Sequence, residues 1–310
     1  MTDRHGQRVD RPLVILGSTA SGKSDLGMAV ARAIDDVELV SVDSMQVYRR
    51  MNIGTATPTA SQQADVPHHL IDLVDPTDEF TVGAFQAAAR SAVHDIRDRS
   101  AIAVLVGGTG LYVRSVVDEL EIPGRFPETR RELDAMPDTA ELHHRLSSLD
   151  PVAAARMEPS NRRRIVRALE VTIGAGRPFS SFGAGLDRYP DTRYVQVGLR
   201  WERAELDRRI DARYRAQLAA GFLDEVHDLA ALPLSRTASQ ALGYRELLAH
   251  VRGELSLDEA VAAATQRTRR FARRQEHWFR RDPRITWLEA PGSPEDLITV
   301  WDAAIDTSAG

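Results

Sequence analysis

One octapeptide near the start of the chain constrains the fold more than any other feature. Residues 17–24 read GSTASGKS and fit the pattern G-x-x-x-x-G-K-S/T. They follow a short apolar run at 13–16 and open a helix-like segment that extends to about residue 34. In this setting the glycines let backbone N–H groups curl round a phosphate, and the helix adds its positive dipole end. The octapeptide predicts a di- or triphosphate site, although a chance glycine-rich turn would look similar.

Two side chains of this loop carry the expected chemistry. Lys23 is the only lysine in the chain, and its compact charge on a flexible stem suits a phosphate better than a forked guanidinium. The Ser24 hydroxyl is the expected protein ligand of Mg²⁺. The predicted diphosphate-binding residues are Gly17, Ser18, Thr19, Ala20, Ser21, Gly22, Lys23 and Ser24.

Apolar runs alternate with helical segments around the loop. Residues 37–42 and 102–106 are further strand candidates, and residues 84–99 have helical spacing. This alternation predicts an α/β fold in which a P-loop-containing parallel sheet is flanked by helices. Such sheets bind ligands at the carboxyl ends of their strands, and candidate chemistry follows each of these three strands.

The character of the chain changes after about residue 117. A breaker-rich stretch, IPGRFPE, leads into helical segments at 141–149 and 162–173, and the Gly/Ser/Pro-rich GRPFSSFGAG follows them. Residues 194–199 again resemble a strand, helices are expected near 202–220 and 256–281, and a last strand near 285–287. The predicted domains are a P-loop catalytic core, 1–117 and 200–310, and a helical insertion domain, 118–199.

Composition excludes several classes of protein. The chain has 310 residues, 43% hydrophobic and 27% charged, which is typical of a soluble globular protein of about two domains. It has no cysteine, so disulfides, cysteine zinc sites and cysteine nucleophiles are excluded. The polar start MTDRHGQRVDRP lacks the apolar segment of a secretory signal, and no run approaches the roughly 18 apolar residues of a membrane span. We therefore expect a cytoplasmic protein without a membrane partner.

The acid that a nucleotide hydrolase places on a neighbouring strand is missing. The third strand ends in IAVLVGGTG, with glycines and Thr109 at that place, whereas Asp43 follows the second strand in VELVSVDSMQVY. Asp43 is a candidate general base or metal ligand facing the phosphate loop, and the alternative is a simple helix N-cap.

Eight segments together resemble the tRNA dimethylallyltransferase (tRNA isopentenyltransferase) family. In order along the chain they are GSTASGKS, SVDSMQVYRRMNIGTATPT, PHHLIDLVDP, LVGGTGLY, DPVAAARMEPSNRRRIVRALEV, LDRRIDARY, ALGYRELL and TRRFARRQEHWFRR. They extend from about residue 13 to 288, and the run DSMQVYRRMNIGTATPT is far more specific than the phosphate loop alone. The loop departs from many relatives in having Ser18 where they have proline.

The resemblance implies a transfer reaction and not the hydrolysis of a nucleotide. Dimethylallyl diphosphate would bind the loop with Mg²⁺, and the N6 amine of the adenosine just 3′ of the anticodon would displace diphosphate. By resemblance Asp43 is the general base, Arg209 helps to hold the leaving diphosphate, and Thr109 lies beside the reacting centre.

The resemblance also implies that the helical insertion grips the anticodon arm of tRNA. The implied tRNA-binding residues are Asp43, Ser44, Met45, Gln46, Thr109, Arg130, Arg163, Arg164, Arg167, Arg273, Arg274 and Gln275. Arg162–Arg164 with Arg167 is the densest basic cluster of the insertion, as phosphate contact would require, although such a run is often only a solvated face. Arg163 stands where some relatives carry glutamine, so a base contact there would become a phosphate contact.

Two other functions remain open on the sequence alone. One is a small-molecule P-loop kinase that uses ATP, and the other is a phosphate-sensing RNA-binding module without catalysis. His68 and His69 invite a metal site, but without a nearby carboxylate–histidine spacing we expect packing or substrate positioning. No protein partner is implied, and we expect a monomer.

Overall fold

The computed structural model describes residues 4–183 and 185–307. The first three residues, one residue of the GRPFSSFGAG stretch and the last three residues lie outside the described part. The chain divides into two compact units. Unit 1 comprises the described residues up to 117 and from 191 onward, and unit 2 comprises those between 118 and 190.

Unit 1 is built on a parallel sheet. The strands are β1 (Leu13–Gly17), β2 (Val37–Val42), β3 (His68–His69), β4 (Ile102–Gly107), β5 (Val195–Arg200) and β6 (Ile285–Glu289). Their order across the sheet is β3-β2-β4-β1-β5-β6, and every neighbouring pair is parallel. The predicted α/β class is confirmed.

Fifteen α-helices complete the described part of the chain. Unit 1 begins with α1 (Arg4–Asp10), α2 (Lys23–Ala33), α3 (Asn52–Thr55), α4 (Ala60–Asp65), α5 (Val82–Asp98) and α6 (Gly110–Val117). Unit 2 contains α7 (Pro127–Ala135), α8 (Thr139–Leu149), α9 (Pro151–Ala155) and α10 (Arg162–Ala175). Unit 1 resumes with α11 (Arg203–Ala219), α12 (Phe222–Ala230), α13 (Tyr244–Val251), α14 (Leu257–Phe279) and α15 (Pro294–Thr307). None of these helices is both long and apolar enough to cross a membrane.

Helices cover both faces of the unit 1 sheet. Along β1, Val14 and Leu16 belong to the core beneath α5, α11 and α14, whereas Leu13 and Ile15 belong to the core beneath α2 and α15. Alternate side chains of a strand point to opposite faces, so a strand covered on both sides has no polar face. This is why β1 and β4 are nearly continuous apolar runs that are easy to find in the sequence, whereas β2 also carries the buried polar residues Glu38 and Ser41.

Unit 2 has a small core of its own. Leu142 and Leu146 of α8 pack with Ile165, Val166 and Leu169 of α10, and all five side chains are buried. The predicted helical insertion is therefore observed as a separate helical unit.

One predicted domain boundary is wrong. The insertion was expected to extend to residue 199, but β5 (Val195–Arg200) pairs with β1 on one side and β6 on the other. Ladder hydrogen bonds on both edges make these residues part of the sheet, so the boundary lies between residues 190 and 191.

The polar start of the chain forms a helix that the sequence analysis does not predict. Arg4 and Arg8 of α1 make ion pairs with Asp306 and Asp302 of α15 at 2.8 and 2.9 Å. These partners are about three hundred residues away in sequence, so no local pattern indicates the helix.

Candidate functional site

The carboxyl ends of three neighbouring strands carry the phosphate loop and two of the three predicted catalytic residues. In the sheet β4 lies between β1 and β2, so the loop after β1, Thr109 after β4 and Asp43 after β2 share one edge. Between the other two strands, β4 ends at Gly107 and is followed by Gly108, and both glycines are tightly packed. A Cβ atom on Gly108 would lie 2.8 Å from the carbonyl oxygen of Gly17 and 2.5 Å from the side-chain nitrogen of Gln275. Gly108, at the end of β4 where a nucleotide hydrolase would place an acid, therefore has no room for a side chain.

The eight predicted diphosphate-binding residues form one turn between β1 and α2. The Ser21 amide and the Lys23 ammonium both donate to the carbonyl oxygen of Ser18, each at 3.2 Å. Ala20 adopts a left-handed backbone conformation with φ of +64°. Ser24 is exposed at the start of α2, and its hydroxyl makes no hydrogen bond within the described chain.

Side chains from the second half of unit 1 hold this turn from outside. The Trp201 indole donates to the carbonyl oxygen of Ser21 at 2.8 Å, and Arg209 Nε donates to that of Ala20 at 2.8 Å. The Arg209 guanidinium stacks over the Trp201 ring, with its carbon 4.4 Å from the ring centre. The structure therefore places Arg209 beside the phosphate loop, and both of these bonds use carbonyl groups of the loop.

Arg213 also reaches the loop, although the sequence analysis does not single it out. Its two terminal nitrogens donate to Thr19 Oγ1 and to the carbonyl oxygen of Gly54, both at 3.2 Å. Arg213 lies four residues after Arg209 on α11, and this spacing puts both guanidinium groups on one helix face. That spacing, within LDRRIDARY, was the signal available in the sequence.

The loop is electrostatically poised for an anion. Burial lowers the pKa of Lys23 to about 8, the charge of Asp43 opposes this shift, and Arg213 adds to it. Burial likewise lowers the pKa of Arg213, against the influence of Tyr214 and Asp43. Within the described chain no carboxylate lies at ion-pair distance from Lys23 or Arg213. A bound polyphosphate would supply the missing negative charge.

Asp43 does not cap a helix. Its Oδ1 accepts the Met45 amide at 2.8 Å, which closes a turn in which the side chain hydrogen-bonds the backbone two residues on. The next helix, α3, begins only at Asn52. One carboxylate oxygen is thereby fixed, and the other makes no hydrogen bond within the described chain.

Hydrogen bonds connect Ser44, Gln46 and Thr109, the predicted tRNA-binding residues near Asp43, to neighbouring segments. The Ser44 amide donates to Thr109 Oγ1 at 3.3 Å, which links the ends of β2 and β4. The Gln46 side chain accepts from Ser41 Oγ at 2.6 Å and donates to the Ala56 carbonyl oxygen at 3.0 Å.

Gln275, which was predicted to bind tRNA, is buried beside the phosphate loop. Its side chain is buried, accepts the Thr19 amide at 2.9 Å and donates to the Gly108 carbonyl oxygen at 2.8 Å. It therefore ties the phosphate loop to the end of β4. Arg273 and Arg274 lie two and one residues before it on α14 and are exposed.

The arginine cluster of unit 2 separates into three kinds. Arg163 and Arg164 are exposed, and their side chains have no partner in the described chain. Arg162 donates to four backbone carbonyls at the C-terminal end of α7, those of residues 133, 134, 136 and 137, and so caps that helix. Arg167 donates to Glu170 at 2.8 Å and to the Pro123 carbonyl oxygen at 2.9 Å.

Arg130 belongs with Arg167. It bonds Asp134 at 2.8 Å and lies 3.7 Å from the buried carboxylate of Glu170. Burial lowers the pKa of Arg167, and the charge of Glu170 opposes that shift. Both arginines are thus paired inside unit 2, whereas Arg163 and Arg164 are free to bind an anion.

His68 and His69 occupy the edge strand β3. His69 lies 2.6 Å from Glu38, which also accepts from Arg99 at 2.8 Å, and His68 Nδ1 bonds the Val66 carbonyl oxygen at 2.7 Å. The part of the chain that the structure covers holds no group of three or more His, Cys, Asp or Glu side chains that could hold a metal ion. Each histidine thus has a local hydrogen-bond partner, the Glu38 carboxylate for His69 and the Val66 carbonyl oxygen for His68.

Comparisons with known proteins identify the family of the chain. A family model described as IPP transferase matches residues 46–282. The tRNA dimethylallyltransferase of Kineococcus radiotolerans is 48% identical, covering 92% of this chain and 93% of its own, and that of Streptomyces avermitilis is 47% identical, covering 95% of each.

Solved structures show the same fold. The tRNA isopentenylpyrophosphate transferase from Bacillus halodurans has a TM-score of 0.70 at 34% identity, over 97% of this chain and 98% of its own. A eukaryotic dimethylallyltransferase acting on tRNA has a TM-score of 0.75 at 23% identity, over 96% of this chain and 77% of its own. From the family model and from relatives of this identity and coverage, we conclude that the chain belongs to the IPP transferase family.

Proposed function

We propose that this chain transfers a dimethylallyl group from dimethylallyl diphosphate to N6 of the adenosine just 3′ of a tRNA anticodon. The observation that carries this proposal is the juxtaposition of a phosphate loop with Asp43, whose charge acts on Lys23 across the glycine-lined end of β4. The names of the relatives, tRNA dimethylallyltransferase throughout, support both the donor and the acceptor.

The diphosphate is the group that the loop would bind and stabilise. When the bond from the allylic carbon to the diphosphate oxygen breaks, its electron pair and the negative charge go to diphosphate. Lys23, Arg209 and Arg213 already lie at the loop, so their charges need no rearrangement as the negative charge builds.

Magnesium would be held jointly by the protein and the diphosphate. Mg²⁺ usually keeps several waters and binds through few protein ligands together with substrate phosphates. The free, exposed hydroxyl of Ser24 fits that arrangement, and the described residues offer no all-protein cage that would compete with it. The ion would neutralise part of the charge on the diphosphate.

The proton of the acceptor amine would pass to Asp43. As N6 forms its bond to the allylic carbon it becomes cationic, and it must lose one proton. Asp43 Oδ1 is engaged by the Met45 amide, so the carboxylate is held in one orientation while its other oxygen can receive the proton.

The other two functions fit this geometry less well. A kinase that uses ATP would need an acid near the end of β4, where Gly108 leaves no space. A binding module without catalysis would have no use for a free carboxylate oxygen beside the loop. We further propose that Arg163 and Arg164 bind phosphates of the anticodon arm, that Arg273 and Arg274 add contacts, and that a monomer suffices.

Replacing Asp43 by asparagine should greatly slow the transfer reaction and should have little effect on substrate binding. The amide oxygen can still accept the Met45 N–H, so the turn should persist, but the proton acceptor is lost. We expect the single-turnover rate to fall by roughly 10² to 10⁴, with dissociation constants for tRNA and diphosphate within about threefold of the parent. A variant that turns over at a near-normal rate would remove Asp43 from the mechanism.

The affinity for the donor should fall as the solution becomes alkaline. Lys23 has a pKa of about 8 in the free protein, so it loses its charge as pH rises through that value. We expect kcat/KM for dimethylallyl diphosphate to decline above about pH 8. At saturating donor the decline in kcat should move to higher pH, because bound diphosphate stabilises the charged ammonium.

The control for this pH profile is Lys23→Arg. A guanidinium stays charged over the whole range, but its planar fork does not fit a loop shaped for an ammonium, so donor affinity should be nearly as poor as in Lys23→Ala. A parent profile that stays flat well above pH 8, or an arginine variant that works like the parent, would show that Lys23 has no special role.

Removing the two free arginines of unit 2 should weaken tRNA binding in a salt-dependent way. Each phosphate contact adds nearly one unit to the slope of log affinity against log salt, so Arg163→Ala with Arg164→Ala should lower the slope by about one to two units. Donor affinity should be unchanged.

A charge-matched control separates this from a general effect of net charge. Arg208 and Arg252 are exposed and paired with Glu205 and Glu254, and their double alanine variant removes the same charge. It should leave the slope unchanged. Equal slopes for both double variants would show that Arg163 and Arg164 are a solvated face.

A further inference from the structure

A carboxylate outside the predicted site binds a segment that reaches the phosphate loop. Glu225 of α12 accepts the backbone amides of Asn52 and Ile53 at 2.8 Å each and that of Gly54 at 3.2 Å. It also accepts the Tyr244 hydroxyl at 2.6 Å. Four donors on one carboxylate fix both the carboxylate and the start of α3.

The same short helix is clamped by aromatic rings. A Cβ atom on Gly54 would lie 2.4 Å from atoms of both the Phe222 and the Tyr244 rings, so only glycine fits here. These two rings pack edge to face, with centres 4.9 Å apart. The backbone of Gly54 is thereby held against α12 and α13 on one side.

On its other side, Gly54 is the acceptor that orients Arg213. Its carbonyl oxygen receives one terminal nitrogen of Arg213 at 3.2 Å and the Gln217 amide at 2.9 Å. The remaining terminal nitrogen of Arg213 donates to the Thr19 hydroxyl in the phosphate loop. Both acceptors of this guanidinium are neutral, so its position depends on where those two oxygens are held.

We propose that Glu225 is a positioning residue for the phosphate loop, acting through Gly54 and Arg213. Fixing three successive amides sets the direction of the Gly54 carbonyl, and that carbonyl holds the Arg213 guanidinium toward Thr19. Without the carboxylate, α3 loses the partner of three amides and Arg213 loses a fixed acceptor. The inference rests on the proposed function for its substrate, but the contacts themselves predict a defect in binding diphosphate.

The direct test is a double-mutant cycle read by calorimetric titration with inorganic diphosphate and Mg²⁺. Glu225→Gln should weaken binding by roughly tenfold to a hundredfold, the range covered by loss of a charge-assisted hydrogen bond. Arg213→Gln should weaken it at least as much. If Glu225 acts through Arg213, the double variant should bind within about threefold of Arg213→Gln alone. Multiplying effects, or an unaffected Glu225→Gln, would overturn the proposal.

A matched variant controls for the loss of a structural carboxylate. Glu246 of α13 is buried and accepts the Gly243 amide and the Arg267 guanidinium, with no bond to α3 or the phosphate loop. Glu246→Gln should leave diphosphate affinity within about threefold of the parent. An equal loss in both variants would mean that Glu225 only supports the fold.

A second variant and a kinetic measurement also test the proposal. If Glu225→Gln does not fold, Tyr244→Phe removes one of the four donors and should still weaken diphosphate binding by a few fold, and unchanged binding would count against the proposal. In the transfer assay, Glu225→Gln should raise KM for dimethylallyl diphosphate and not for tRNA, whereas general loosening would raise both. Because the titration needs no transfer, a parent protein that binds diphosphate but modifies no tRNA would refute the proposed function and leave this inference standing.

Discussion

The phosphate loop has the shape it needs because other parts of unit 1 bind its carbonyl groups. Trp201 donates a hydrogen bond to the Ser21 carbonyl oxygen, and Arg209 donates to that of Ala20. Arg213 donates to the Thr19 hydroxyl. Gln275 engages the Thr19 amide from the C-terminal helix. The loop is thus fixed by residues almost two hundred or more positions away, and an anion that enters finds donors and charges already in place, which is the condition for electrostatic catalysis.

The end of β4 explains how a base and a diphosphate clamp can share this edge. In a P-loop hydrolase a side chain at this place serves a nucleotide, but here the backbone of Gly17 and the amide of Gln275 approach Gly108 too closely for any side chain. The same packing that excludes an acid from the end of β4 leaves Asp43, directly after β2, as the acid that we propose to act at this edge.

Much of this arrangement could be predicted from the sequence because its signals are local. The central strands β1 and β4 are apolar runs, the loop is a contiguous motif, and Asp43 directly follows a strand. Other features depend on contacts between distant residues. Arg213 is oriented by the Gly54 carbonyl oxygen, which lies far away in the sequence. Arg167 is paired with Glu170 whereas Arg163 is unpaired in the described chain, and a run of basic residues does not show this difference. The wrong boundary at residue 199 arose because a breaker-rich linker gives no sign of which sheet edge the following strand will join.

We propose that the loop serves the transfer of a prenyl group to RNA. The most direct measurement incubates the protein and tRNA with dimethylallyl diphosphate labelled in its carbon chain or, separately, with ATP labelled in its γ-phosphate. After digestion to nucleosides, the label should be found on a modified adenosine with the carbon-labelled donor, and labelled ATP should give none. Label from ATP on a small molecule or on RNA, or no carbon label on any nucleoside with fully folded protein, would contradict the account.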